Sequence, residues 1–297
     1  MVKDGGTSGG DLDKRLHDAV GSRVVEARSL PVGFGLTGVE VILADGRHLA
    51  VKAYERGPSA RTGLEIEAFM LGELARLSEL PVPRVHYFDS DLLVMDFIPN
   101  DGGRITPSVE HHAAELIASL HAMRRERYGY DRDTLIGPLL QPNPQASLWV
   151  PFFRDHRLLY MAREAHREGA LAAKLLARIE RLAERIEDYL IEPRFPSLLH
   201  GDLWTGNVLV RGDRIAGFVD PAISIGSPEI ELAFGTMFGT FGTAFFEAYE
   251  SLQPLEPVTR LGQASTLSIR AWFMSGCSGR DMCRGSRAFW GGLGYKP

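Results

Sequence analysis

Leu198-Leu-His-Gly-Asp-Leu-Trp-Thr-Gly-Asn-Val-Leu-Val210, followed by Ile215-Ala-Gly-Phe-Val-Asp-Pro-Ala222, is the stretch whose reading decides the fold. It sets Asp202, then Asn207 five residues on, then Asp220 thirteen beyond that, with an apolar run leading into Asp220. Phosphoryl transfer needs few covalent participants: a group that orients and accepts the hydroxyl proton, ligands for a metal, and positive charge on the phosphates. Asp202 fits the first need. Asn207 and Asp220 offer an amide oxygen and a carboxylate, which suit magnesium, a hard cation that takes few protein oxygens alongside phosphate oxygens.

Working outward from this loop, a cation is found upstream. Lys52 is the single charge in the apolar strand Leu49-Ala-Val-Lys52, placed to reach the phosphates of a nucleotide. In the helix expected over about residues 61–77, Glu67 shares the inward face with Leu64, Ala68 and Leu71 and is expected to hold that amine. Glu65 is its rival by proximity. Leu30-Pro-Val-Gly-Phe-Gly-Leu-Thr-Gly38 is a glycine-punctuated turn, in which Gly33, Phe34 and Gly35 would bring backbone amides to phosphate oxygens. No G-K-[ST] follows, so it is not a Walker A loop. Val39–Leu43 and Leu49–Ala53 flank Asp45-Gly46 and read as a β-hairpin. Val85–Phe88 and Leu92–Phe97 read as two further strands, and Ile98-Pro-Asn-Asp-Gly-Gly103 as a hinge.

The loop spacing matches the H-x-D-x-x-x-x-N loop and downstream Asp of the kinase fold. The expected class is therefore α+β: a bilobal, protein-kinase-like fold with a small antiparallel-sheet N-lobe and a mainly helical C-lobe. Residues 1–11 read as a flexible leader, 12–98 as the ATP-binding lobe and 99–297 as the catalytic and substrate lobe. Val109–Met123 is expected as one helix and about Glu164–Leu190 as another, with Leu171, Leu175, Ile179, Leu182, Ile186 and Leu190 on one face and a solvated charged face opposite. His121 and His200 are expected as structural histidines, and the tandem His111-His112 as solvated.

Composition narrows the class. The 297 residues are 44% hydrophobic and 24% charged, ordinary for a globular chain that can build its own core. A net charge of −5 argues against a broad nucleic-acid-binding face. No apolar run of about 18 residues exists to span a membrane. The two cysteines, Cys277 and Cys283, fit neither a CxxC redox pair nor a zinc site, in keeping with free thiols and a cytoplasmic location.

The residues also discriminate within the fold. His200-Gly-Asp202 lacks the Arg of His-Arg-Asp, Asp220-Pro-Ala222 replaces Asp-Phe-Gly, and no Ala-Pro-Glu segment follows. A small-molecule hydroxyl acceptor fits better than a peptide. Leu199-His-Gly-Asp-Leu-Trp-Thr-Gly-Asn207 resembles the signature of the fructosamine (ketosamine) kinases, with its Trp directly after Asp-Leu. The resemblance continues through Gly129-Tyr130, Gln141-Pro-Asn143, Trp149 with Phe152-Phe153, Gly235-Thr-Met-Phe-Gly239 and Phe245-Phe-Glu-Ala-Tyr249. It implies ATP and Mg2+ as cofactors, a small-molecule or protein-bound ketosamine as substrate, transfer to the sugar 3′ hydroxyl, and deglycation as the outcome, in a monomer or weak dimer. Trp204 would then present an aromatic face to the acceptor, and Met95, Asp96, Phe97 and Ile98 would form the adenine-contacting hinge. Other small-molecule kinases of this fold, for aminoglycosides, choline or homoserine, share Asp202, Asn207 and Asp220, and a nucleotide-binding scaffold without turnover is the non-enzyme alternative.

Two departures stand out. Glu231 occupies a position where the family carries Asp and is expected to brace the catalytic loop. From about residue 262 the resemblance fades into a Gly/Ser-rich tail that holds both cysteines, as a divergent tail or a reading-frame slip would produce.

Overall fold

A computed structural model describes residues 8–33, 35–54 and 63–255. Phe34, residues 1–7 and the tail with Cys277 and Cys283 lie outside the described residues. Helix α1 (Ser8–Val20) begins inside the stretch read as a leader. Gly9 and Gly10 cost helical entropy but pose no steric bar, so the first turn extends through them.

The strands β1 (Val24–Leu30), β2 (Leu36–Leu43) and β3 (His48–Tyr54) precede helix α2 (Gly63–Leu77), and β4 (Val85–Phe88) and β5 (Leu92–Asp96) follow it. They form an antiparallel sheet in the order β1-β2-β3-β5-β4. Its central hairpin turns at Asp45-Gly46, with Gly46 at φ 86° and the Arg47 guanidinium clasping the Asp45 carboxylate at 3.0 and 2.7 Å. Strand alternation sorts the sheet into two faces. Leu49, Val51, Ala53, Leu92 and Val94 pack with Leu16 of α1, whereas Leu93 and Met95 meet Leu64, Ala68 and Leu71 of α2. Lys52 pairs in register with Leu93, so the same alternation turns it toward α2.

Past the linker, Thr106 caps α3 (Pro107–His121), accepting from Val109 N at 3.4 Å. A small hairpin follows, β6 (Thr134–Ile136) and β7 (Leu139–Gln141), then α4 (Trp149–Phe153), a π-helical turn (Arg154–Leu159), α5 (Tyr160–Arg167) and α6 (Ala173–Ala183). The chain continues through β8 (Ser197–Leu199), β9 (Val208–Arg211), β10 (Arg214–Phe218), β11 (Ser224–Gly226), α7 (Pro228–Met237) and α8 (Thr243–Leu252). Val109, Ala113, Ala114 and Ile117 of α3 pack against Leu198, Phe218, Phe245 and Tyr249 to make the C-lobe core. No helix among the described residues is long and apolar enough to cross a membrane.

The long helix expected over 164–190 is instead broken. Gly169 lies at φ 78°, its N–H reaches His166 O at 2.9 Å, and Ala170 N reaches Ala165 O at 2.8 Å. This is a Schellman stop, which a glycine just past the last turn favours. Leu175, Ile179 and Leu182 belong to α6, and Ile186 to a 3-10 turn at Ile186–Asp188, a unit separate from α5. His112 also departs from expectation: its Nδ1 accepts Ile215 N at 3.1 Å, while its neighbour His111 is exposed.

The β9–β10 ribbon is tied to the connection between α2 and β4 and to the interlobe linker. Phe218 N donates to Pro81 O at 2.8 Å, Asp101 N to Val210 O at 3.1 Å, and Gly212 N to Asp101 Oδ2 at 2.7 Å. Ile98 lies so close over Gly217 that a Cβ there would sit 2.4 Å from its Cδ1.

Helix α8 has no capping side chain of its own; the buried Glu110 of α3 serves it, accepting from Gly242 N at 2.5 Å and Phe245 N at 3.2 Å. Glu110→Ala leaves the buried Phe245 N–H unpaired and uncaps Gly242 N at the exposed helix start, a cost of about 2 kcal/mol. Thermal denaturation should show Tm falling by roughly 4–8 °C, the shift such a loss produces in a chain of this size class.

Candidate active site

Strand β8 delivers the chain into His200-Gly201, where the backbone turns sharply. Gly201 has φ 86°, and a Cβ on it would lie 1.9 Å from the Ala222 carbonyl oxygen. Only glycine fits both the dihedral and the contact. The turn is anchored from below by Glu231 of α7, whose carboxylate accepts from Gly201 N, from His200 N at 3.3 Å and from His121 Nε2 at 2.7 Å. His121 Nδ1 in turn takes the Tyr249 hydroxyl at 2.8 Å, which fixes the ring's tautomer. His121 is thus a fully satisfied core histidine, and Glu231 braces the loop. Burial alone would raise the Glu231 pKa, but the hydrogen bonds from His121 and Gly201 more than offset it and hold the group below the usual carboxylate value.

Asp202 follows at the rim. Its Oδ2 accepts Asn207 Nδ2 at 2.8 Å, and the same amide nitrogen reaches the Asp202 carbonyl at 2.9 Å and the Asp220 carbonyl at 3.4 Å. With its nitrogen spent inside the loop, Asn207 turns Oδ1 outward. Desolvation is the main reason the Asp202 carboxyl is pushed up to about 7, partly countered by the Asn207 bond and reinforced by the Asp220 charge. Such a value lies where a proton acceptor works best near neutral pH.

Lys52 reaches across from the N-lobe. Its Nζ lies 2.7 Å from Glu67 Oε1 and 2.5 Å from Asp220 Oδ1, so one buried amine joins the sheet, α2 and the C-lobe. Burial works against its charge, but the Asp220 and Glu67 carboxylates outweigh it and raise its pKa. Glu65 is exposed, so the pairing falls to Glu67. Asp220 itself sits at φ 51°, the only non-glycine residue with positive φ among the described residues.

Gly33 and Gly35 form the β1–β2 turn, Gly35 at φ 71°, with Leu36 N donating to Gly33 O at 3.3 Å. Met95 is buried against α2. The N–H groups of Asp96 and Phe97 are occupied by Arg84 O at 2.9 Å and His48 O at 3.1 Å. Backbone groups for an adenine would therefore come from the Asp96 carbonyl and Ile98. The half-buried Trp204 ring closes over Gly206, where a Cβ would lie 2.4 Å from it, and has Phe238 at 6.0 Å. Among the described residues no cluster of three or more His, Cys, Asp or Glu could hold a metal. A carboxylate and an outward amide oxygen are nonetheless a donor set that suits magnesium completed by phosphate oxygens.

The sequence did not reveal the β6–β7 hairpin, whose strands are three residues each. A Gly137-Pro138 pair between the apolar pairs Leu135-Ile136 and Leu139-Leu140 was its signal. Nor did it reveal that Gln141 and Thr134 bond the backbone just after Asp220.

With this geometry in place, the comparisons are consistent with one another. The sequence matches the fructosamine kinase family model over residues 16–261, ending where the tail departs. A probable ketoamine kinase of Synechocystis is 32% identical over 200 residues, 65% of each chain. The match to one from Enterococcus faecium, at 36% identity, spans about half of each chain, 48% of this one and 52% of the relative. Probable ketoamine kinase YniA of Escherichia coli K12 is 29% identical over 82% of this chain and 84% of its own. A solved Thermobifida fusca protein assigned as a fructosamine-3-kinase superposes with TM-score 0.75 at 28% identity, covering 89% of this chain and 88% of that one. The aminoglycoside phosphotransferase APH(2'')-Ib, at TM-score 0.52 and 19% identity over 83% of each chain, shares the fold.

Glu231→Gln replaces an acceptor of three N–H groups by an amide that must turn one N–H against a donor, a loss of about 2 kcal/mol at neutral pH. Because the native pKa is depressed, the carboxylate's contribution is present above its ordinary value of about 4.3 and is lost as pH falls through the lower, native one. Denaturation of both proteins across pH 3–8 should show the wild type's advantage shrinking at the acid end.

Proposed function

Because the chain belongs to the fructosamine kinase family, we propose that it is an ATP- and magnesium-dependent kinase that phosphorylates a sugar hydroxyl of a ketosamine, at the 3′ position, so that the sugar is later shed and the amine deglycated. The observation that carries the phosphoryl-transfer part is Lys52, held at 2.7 Å from Glu67 and 2.5 Å from Asp220 at the junction of the lobes. The family carries the acceptor part.

In this reading each side chain has one task. Lys52 holds the α- and β-phosphates of ATP, and Glu67 keeps its amine aimed into the cleft. Asn207 Oδ1 and the Asp220 carboxylate hold magnesium, which when bound neutralises charge on the phosphates. Asp202 accepts the proton of the attacking hydroxyl and orients it toward the γ-phosphate. Gly33 and Gly35 let the backbone approach the phosphates, and Met95 to Ile98 flank the adenine. Trp204, an amphipathic ring at the rim, covers one face of the sugar or its amine carrier.

Asp202→Ala should abolish turnover while leaving ATP affinity within a few-fold of wild type; unchanged kcat would refute the base role. Asp220→Ala should bind nucleotide equally with and without magnesium in a fluorescent-nucleotide titration. An ATP-consumption assay over ribulosamine, fructosamine, aminoglycoside and choline acceptors tests the substrate: turnover is expected with the ketosamines, and turnover confined to the others would overturn the reading.

A further inference from the structure

Asp220 stands in a conformation that costs an L-residue about 1 kcal/mol or more, and such a residue persists only where its surroundings over-determine it. On the N-terminal side it is pinned by Val219 N to Asn207 O at 3.0 Å and Phe218 N to Pro81 O at 2.8 Å. On the C-terminal side the Ala222 peptide is gripped at both ends. Its N–H donates to His200 O at 2.8 Å, and its carbonyl takes Gln141 Nε2 at 3.0 Å.

Gln141 belongs to a closed set of buried polar side chains. The Thr134 hydroxyl donates to Ile223 O at 3.0 Å and accepts from Gln141 Nε2 at 3.0 Å and Asn143 Nδ2 at 2.8 Å. That uses the whole capacity of one hydroxyl. Asn143 Oδ1 accepts Arg157 Nη2 at 2.5 Å, and Arg157 Nη1 donates to Pro142 O at 2.7 Å. Thr134, Gln141 and Asn143 are all nearly inaccessible, at 0%, 3% and 2% exposure. A fully satisfied network in a low-dielectric interior holds one geometry tightly.

The segment bearing this network also touches the helix that supplies the other partner of Lys52. Tyr130 OH donates to Glu73 Oε2 of α2 at 2.7 Å, and the Arg132 guanidinium lies 4.7 Å from the Phe69 ring centroid. One insertion between α3 and α4 thus grips both the helix that carries Glu67 and the backbone that follows Asp220.

We propose that Thr134 and Gln141, buttressed by Asn143, are positioning residues for the Asp220 carboxylate: by fixing the Ala222–Ile223 backbone they hold Asp220 ready to receive magnesium with ATP. The proposal rests on the phosphotransferase reading of the site. It concerns side chains whose observed bonds run to backbone and to one another, outside the residues assigned to nucleotide and acceptor.

Thr134→Val keeps shape and deletes the hydroxyl; Gln141→Leu deletes the amide; Thr134→Ser restores the hydroxyl. Fluorescent-nucleotide titration of each purified full-length variant, with and without magnesium, separates intrinsic from metal-coupled affinity, and melting curves report folding. Loss of one or two buried hydrogen bonds should cut the magnesium-coupled gain in affinity and kcat by about tenfold in Thr134→Val and Gln141→Leu. Metal-free affinity and acceptor KM should stay within about twofold, and Thr134→Ser should recover most of the loss. Wild-type metal coupling in folded Val and Leu variants would overturn the proposal. So would equal losses of metal-free and metal-coupled affinity, or failure of both variants to fold, since each would make the network a general fold staple. If the wild type shows no metal-coupled nucleotide binding, the functional reading falls, and this inference with it.

Discussion

Lys52 stands between two carboxylates from different parts of the chain, and the cleft is organised around that one amine. Lys52 and Glu67 are both largely buried, so removing one leaves the other's charge desolvated at a cost of about 3–5 kcal/mol, whereas the Asp220 carboxylate is half exposed and its pull on the amine is partly screened by solvent. The three groups are therefore interdependent. Strand β3 turns Lys52 toward α2 by alternation, the helical face of α2 turns Glu67 toward the sheet, and the left-handed backbone at Asp220 sends the third group up from the C-lobe. The C-lobe half has its own keystone in Glu231, which ties the Gly201 turn to His121 and through it to Tyr249 of α8.

The pieces with strong local signals are legible in the amino-acid sequence. Asp45-Gly46 announces the central hairpin, and the single cation in an apolar strand announces Lys52. Glu67 is readable over Glu65 because helical phase separates two glutamates only two residues apart. The Asp202, Asn207 and Asp220 spacing carries the loop because a short stretch of chain holds all three groups.

What stays hidden depends on contacts distant in sequence. Nothing near Glu110 says that it caps a helix starting over 130 residues later. Nothing near Gln141 says that it faces Ala222, 81 residues away. The broken helix at Gly169 has a different cause: the apolar residues of the expected face all lie after the glycine, whose left-handed turn ends the element before them. His112 escapes a local reading because a histidine at a helix start carries no cue that a distant strand will offer it an N–H.

The ties between the interlobe linker and the β9–β10 ribbon have a mechanical meaning. Pro81, Ile98 and Asp101 all grip the ribbon, and Asn207 and Asp220 lie together at its open end. A rotation of one lobe against the other must pivot close to where it is clamped. Points on the axis of a hinge travel least, so a pivot at this clamp would leave Asn207 and Asp220 nearly stationary. The strained backbone at Asp220 thus stands beside the clamp, where a displacement between the two parts of the chain would disturb it least.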